Sequence, residues 1–378
     1  MNRKEIAEIR RRFKTDNHAI RLIRGCYVND NREIISSFAC SPAALPAEEH
    51  EKYLNIFRRT LAGMPGKNLL ELRFAPDQVM NGEQHALLRK MRDSALEDDE
   101  SVTLLFSRII ESCDLEGNYV ILLTHDTYDV PFKRQTEESP LDESDEVFTY
   151  LLCSICPVKL TPQGLCYDVE DNAFHENIPD WIVTGPEIGF LFPAFEDRAA
   201  NIYTSLYYSK NADDLHEDLV ASVFGTELPM AAHAQQETFT LLLEDALGEG
   251  LDLSVVENVH ETLCDRIESH KKDSETAAPT VSKAELLKTL EESGVEEPKL
   301  ERFERSFDAA FGASGELYCK NIINPSKLEV RTPDVTIQIN PERNDLLETR
   351  VIDGQRWIMI RAEDGVLVNG VSIGTFDK

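Results

Sequence analysis

"YVILLTHDTYDV", residues 119–130, is the stretch on which the fold turns. Its first half, 119–124, is a continuous apolar run too short for a helix, and it reads as a strand buried on both faces. The second half, "THDTYD" at 124–129, then lies just past the strand's carboxyl end, where side chains often converge on a cleft in α/β proteins. There His125 with Asp126 or Asp129 would make a general base and its orienting acid, or a metal-binding pair. The same residue types are routine in turns, and no nucleophile can be named beside them, so a turn is the simpler reading.

Outward from this strand the pattern is mixed α+β. Residues 3–13 carry Ile6, Ile9 and Phe13 at helical spacing. Strand-like pieces follow at 18–24 and 26–38, broken by "NDN" at 29–31. An amphipathic helix then places Tyr53, Ile56, Phe57 and Leu61 on one face and stops at Gly63. A strand is expected at 68–74, helices near 83–97 and 100–113, and further strands at 148–158, 165–169 and 181–183. Residues 201–209 fit either state. Between 137 and 146 six acidic residues and a proline mark an exposed loop.

From 213 to about 270 the pattern is helical three times over. The third helix opens at Ser254 with Glu257 as a capping box and carries Val256, Val259, Leu263 and Ile267 as its stripe. A polar linker at 271–283 separates a main domain, 1–270, from a smaller module, 284–378. That module begins with a second capping box, Ser282 with Glu285, breaks at Gly294, and resumes with Pro298 in the first turn of the next helix. Its tail is β, with "DG" at 353–354 and "NG" at 369–370 as hairpin turns.

The chain carries a net charge of −30 over 378 residues, a field that repels phosphate backbones and anionic lipid. The charge is uneven. Residues 1–24 hold eight Lys and Arg against three acidic residues, a net +5 that leaves −35 on the rest. Arg10, Arg11 and Arg12 are therefore candidates for partner binding, and the arm's own acidic body is the nearer partner. Residues 3–14 are expected to dock as a helix that buries Ile6, Ile9 and Phe13 while the arginines meet that surface. No apolar run approaches a membrane span and the first residues lack a signal-peptide core, so a cytoplasmic protein is expected. Eight scattered cysteines do not form a disulfide framework and are read as thiols.

"EIRRRF", "IRGCYVNDNREIISSF", "GNYVILLTHDTYDVPF", "DWIVTGPEIGFLFPAFEDRAANIY" and "RTPDVTIQINPERNDLLETRVIDGQRWIMIRAEDGVLVNG" together resemble a bacterial family, common in Firmicutes, known as domain of unknown function 4317. The likeness covers nearly the whole chain. It implies no activity, cofactor or catalytic residue.

Other constellations are weak on chemical grounds. In "LLCSICPVKL", 151–160, Cys153 and Cys156 would point to opposite faces of a strand and could not grip one metal. Cys166 and His175 complete a Cys₃His set only on paper, with no second CxxC, so buried thiols are preferred and no metal is expected. "HETLC", 260–264, imitates a zinc-protease helix but has Cys264 for the second histidine, with only His270 beyond it. "IVTGPEIGFLFPAFEDR", 182–198, lacks any phosphate-cradle order and reads as a shaped loop, whose Glu187, Glu196 and Asp197 are ligands only if they meet His125. The helix pair 282–311 holds five basic against eight acidic residues, the wrong sign for nucleic acid. The expected function is a non-enzymatic protein-interaction or regulatory factor with no cofactor and no membrane contact. Its alternatives are a nucleic-acid-associated protein using the basic arm and a hydrolase-like enzyme centred on His125 and Asp126.

Overall fold

In the computed structural model the stretch at 119–130 is one strand from end to end, Tyr119–Val130. The structure describes residues 1–131, 146–248, 251–272, 278–313, 315–362, 366–368 and 371–373. Most of the acidic loop expected at 137–146, the centre of the linker at 271–283, and the "NG" at 369–370 lie outside these residues. The chain forms two compact units, one from Met1–Ala234, the other from Gln235–Asp273 and Pro279–Lys378.

The first unit opens with α1 (Arg3–Arg12), β1 (Ile23–Val28), β2 (Ile34–Cys40), α2 (Ala47–Thr60) and β3 (Leu69–Arg73). Then come α3 (Pro76–Asn81), α4 (Glu83–Asp93), α5 (Asp99–Ser112), β4 (Tyr119–Val130) and β5 (Glu146–Leu160). The short strands β6 (Leu165–Asp168), β7 (Ala173–Glu176) and β8 (Trp181–Val183) precede β9 (Ile188–Phe192), β10 (Ala194–Glu196), β11 (Ala199–Asn201), β12 (Thr204–Ser209) and α6 (Glu217–Phe224). Seven of these strands make one antiparallel sheet in the order β2-β1-β4-β5-β9-β12-β3, and β8 joins the end of β5.

Each face of the sheet carries its own core, which is why the first half of β4, 119–124, reads as a continuous apolar run. One face packs Ile121, Leu123, Cys153, Ile155 and Phe190 against α4, α5 and α6. The other packs Val120, Leu122, Tyr150, Leu152 and Cys156 against α1 and α2. Helix α1 begins with a capping box, Asn2 with Glu5, and buries Ile6, Ile9 and, one residue beyond its end, Phe13. Helix α2 is pinned at its last turn. A Cβ at Gly189 would come 2.4 Å from Thr60 Cγ2, and Thr60 and Ser154 share a buried hydroxyl hydrogen bond of 2.7 Å.

The second unit comprises α7 (Ala232–Leu247), α8 (Leu253–Lys272), β13 (Thr280–Ser282), α9 (Lys283–Glu292), α10 (Glu297–Phe311), β14 (Glu316–Tyr318) and α11 (Cys319–Ile322). Three hairpins follow: β15 (Leu328–Arg331) with β16 (Thr336–Ile339), β17 (Leu347–Ile352) with β18 (Gln355–Ile360), and β19 (Val366–Val368) with β20 (Val371–Ile373). The capping box at Ser282 and Glu285 is present, and Pro298 stands in the first turn of α10. Asp353 and Gly354 both take positive φ, as a two-residue hairpin turn requires.

Four expectations change. Residues 124–129 continue the strand instead of leaving it, because β5 pairs with β4 along its whole length, to Val130↔Glu146. The shaped loop at 182–198 is largely strand, with β9 central in the sheet and β10–β11 turning on Asp197 and Arg198, both at positive φ. Helix α8 is capped by Asp252, which accepts from Val255 N–H at 3.0 Å, and Val255 rather than Val256 is buried. The division between units falls at 234/235 rather than at 271–283. Phe239, Leu242, Val259, Leu263 and Ile267 form one core with Leu286, Leu290, Phe303 and Phe307, so α7 and α8 go with the C-terminal helices.

Candidate functional site

A β-strand alternates its side chains, so once 119–130 is a strand, His125 and Asp126 are separated. His125 shares the parity of Ile121 and Leu123, which pack under α4 and α5; Asp126 shares that of Val120 and Leu122, under α1 and α2. His125 Nε2 is buried with no hydrogen-bond partner among the described residues, and burial lowers its pKa. Asp126 is fully buried and engaged on every side. It accepts from Ala19 N–H at 2.6 Å, Tyr150 O–H at 2.9 Å and Arg12 Nε at 3.3 Å. Asp129, on the parity of His125, is exposed. The pair expected to act as base and orienting acid is thus split across the sheet, and Asp126 serves to anchor the segment after α1.

Arg12 also donates to Thr127 O at 3.2 Å and lies 4.9 Å over the Tyr128 ring. Of the three arginines proposed to bind a partner it is consumed internally, while Arg10 and Arg11 stay exposed. Next to it stands an unforeseen pair. His18 Nε2 lies 2.9 Å from His50 Nε2, and His18 Nδ1 accepts from Ile20 N–H at 3.1 Å. With Nδ1 accepting from Ile20, His18 in its uncharged form carries its proton on Nε2, toward His50, and the contact joins the segment after α1 to the first turn of α2.

The remaining candidates are dispersed. Cys153 and Cys156 are fully buried, one in each core, and burial raises both thiol pKa values, that of Cys156 to about 12. Cys166 and His175 face each other across the exposed β6–β7 hairpin. In "HETLC", His260 has both ring nitrogens occupied, by Asn324 O at 3.2 Å and Cys264 Sγ at 3.5 Å. Glu187 pairs with Lys210 at 2.6 Å and Glu196 accepts from Asn201, so neither is spent on His125, and Asp197 sits in the β10–β11 turn with its backbone N–H donating to Glu5 at 2.8 Å. Asp114, Asp214 and His216 lie close together before α6, where His216 Nδ1 donates to Asp114 at 2.6 Å.

What the first unit does present is a groove of about 870 Å³ on the sheet face that α1 and α2 leave partly uncovered. Its floor crosses four strands: Ser36 and Phe38 of β2, Tyr27 of β1, Val120 and Leu122 of β4, and Val158 of β5. One bank is α2, with Lys52, Tyr53, Ile56 and Arg59; the other is Trp181, Ile182, Val183 and Thr184. Gly25 shapes the floor. It pairs with Phe38 across β1–β2, and a Cβ there would come 2.0 Å from the Phe38 ring, so only glycine lets that ring lie flat on the strand. Trp181, Ile182 and Val183 are each about half exposed, at 54%, 48% and 46%. Burial raises the Tyr53 pKa, with Cys40 and Glu49 adding to the shift.

The sequence places Tyr53 and Ile56 on one apolar face with Phe57 and Leu61 and does not separate core from groove. The available signal was width: Tyr53, Leu54, Ile56, Phe57 and Leu61 cover more of α2 than one buried stripe needs. Leu54, Phe57 and Leu61 fill the core, and the other two border the groove.

The model of a family described as Domain of unknown function (DUF4317) matches residues 1–371. No curated protein matches the chain.

Proposed function

The chain belongs to the DUF4317 family, and from its structure we propose that it is a non-enzymatic interaction protein whose groove seats an apolar segment of a partner protein. The observation that carries this is the half-exposed Trp181-Ile182-Val183 bank facing Tyr53 and Ile56 across a floor of buried apolar side chains. Aromatic-rich concavities with few charges are where binding energy concentrates, because water is displaced from large rigid side chains. Free thiols at Cys26, Cys40, Cys113, Cys153, Cys156, Cys166 and Cys319 suit a reducing compartment, so the cytoplasm is the proposed location. In the described residues no helix is long and apolar enough to cross a membrane.

A nucleic-acid partner is the second reading. In its favour stand Arg10 and Arg11, exposed on α1; against it stand the net charge of −30 and the use of Arg12 on Asp126.

A photo-crosslinking residue placed at Tyr53 in the full chain, in living cells, tests the proposal. A discrete protein adduct is expected from position 53 and not from the exposed Glu297, and Ile182→Asp should abolish it. Adducts of equal yield from both positions, or none from 53, would refute a groove-seated partner.

A further inference from the structure

The groove's charges narrow what it takes, and this step rests on reading it as a docking site. Lys52 and Arg59 are two turns apart on α2, both on the groove bank and both exposed. Among the described residues neither has an ion pair or a hydrogen bond to its side chain. Some cations elsewhere in this unit are matched: Arg12 by Asp126, Lys90 by Asp98, Arg198 by Glu8 and Lys210 by Glu187. Others among the described residues, such as Arg10 and Arg11, are not. What sets Lys52 and Arg59 apart is their place on the bank of an apolar groove. Arg58, next to Arg59, reaches Asn55 at 3.0 Å and Glu51 at 3.9 Å. Glu49 is the acidic residue on the groove, so its lining is net positive on a chain of −30.

Arg59 is also positioned. A Cβ at Gly185 would come 3.1 Å from its Nη1, so the guanidinium reaches from α2 to the turn after β8 and lies against bare backbone there. Its donors are held at one end of the apolar floor with no carboxylate to receive them. A guanidinium set beside a desolvated surface favours a carboxylate strongly, through charge-assisted and often bidentate bonds.

The occupant's shape follows from the floor. Four adjacent strands span about 14 Å, room for about four residues in extended form. At one end lies β2, an edge of the sheet among the described residues.

We propose that the groove binds a short extended segment of a partner protein that carries bulky apolar side chains and, at its Arg59 end, an Asp or Glu. The apolar side chains lie on Phe38, Tyr53 and Ile182, and a carboxylate is received by Arg59, with Lys52 supporting it.

The test is selection of a phage-displayed library of random 12-residue peptides on the full-length protein. Recovered peptides should pair an aromatic or aliphatic residue with an acidic one within three positions. Their affinity should fall about tenfold in Arg59→Gln, the loss of one charge-assisted contact, and recover in part in Arg59→Lys. The effect of Arg59→Gln should shrink as sodium chloride is raised. These residues are exposed, and an unchanged urea midpoint will show that the variants fold.

Apolar peptides without acidic bias, insensitive to Arg59→Gln but lost in Ile182→Asp, would overturn the acidic partner and leave the docking site standing. Peptides indifferent to both Ile182→Asp and Tyr53→Glu would overturn the docking site as well. No selected peptide, with 1-anilinonaphthalene-8-sulfonate binding in an Arg59-dependent way, would overturn the peptide in favour of a small aromatic anion.

Discussion

Asp126 and His125 are neighbours in sequence with opposite fates. Asp126 takes three donors in a fully buried setting, so Asp126→Asn leaves Arg12 facing a neutral amide and forces Ala19 N–H, Arg12 and Tyr150 O–H to share fewer lone pairs. Breaking a buried charge pair on one side costs about 3–5 kcal/mol. His125 keeps a buried ring nitrogen without a partner among the described residues, a defect that costs about 1–3 kcal/mol. His125→Phe is therefore expected to be neutral or stabilising. Urea midpoints measure both changes, and comparable losses from the two would restore a joint role. The cysteine pair was legible because an odd spacing on a strand separates side chains. The same rule splits His125 from Asp126, but it applies only once residues 124–129 are known to be strand, and their polar composition hides that.

At the scale of elements, α1 is held by packing more than by charge. Phe13 is fully buried, 6.0 Å from the Phe57 ring and 6.4 Å from that of Tyr150, whereas Arg11 is exposed. Phe13→Ala should cost about 3–5 kcal/mol and Arg11→Ala less than about 0.5 kcal/mol. A thermal melt showing the reverse order would mean that the arm docks electrostatically. The link between the segment after α1 and α2 is pH-sensitive. Burial, with help from His50 and Arg12 and against Asp126, lowers the His18 pKa, and burial likewise lowers those of His85 and His125. In the unfolded chain these histidines protonate near pH 6.5, in the folded one only at lower pH. The unfolded state thus gains protons first, so stability is intact above about pH 6.5 and falls as pH drops below it. Each histidine contributes up to about 1.4 kcal/mol per pH unit in that window. Urea titrations between pH 7.5 and 5 should show this slope, and His18→Phe should reduce it; an unchanged slope would mean His18 titrates normally.

At the scale of the whole molecule, the boundary between units is a question of whose core a helix completes. Leu286, Leu290, Phe303 and Phe307 are buried in one cluster with Phe239, Val259 and Ile267. A fragment of residues 235–378 is expected to unfold cooperatively, while 284–378 should lack a cooperative transition because half of that cluster is missing. Guanidinium melts followed by circular dichroism distinguish them, and a cooperative 284–378 would move the boundary back to the linker. Sequence alone determined what local chemistry controls. The capping box at Ser282, the Gly294 break, the Asp-Gly hairpin, the amphipathic α1 and the buried strand at 119–124 are legible because each follows from spacing within a few residues. Tertiary structure alone decided what depends on partners far along the chain. The length of β4 is set by pairing with β5, and the allegiance of α7 and α8 by apolar faces that would fit either unit. The groove exists because α2 covers only part of a sheet face, with Gly25 and Gly185 giving way to Phe38 and Arg59. Apolar periodicity says that a side chain seeks burial; which surface buries it, and which is left open, depends on three-dimensional closure that a linear pattern does not encode.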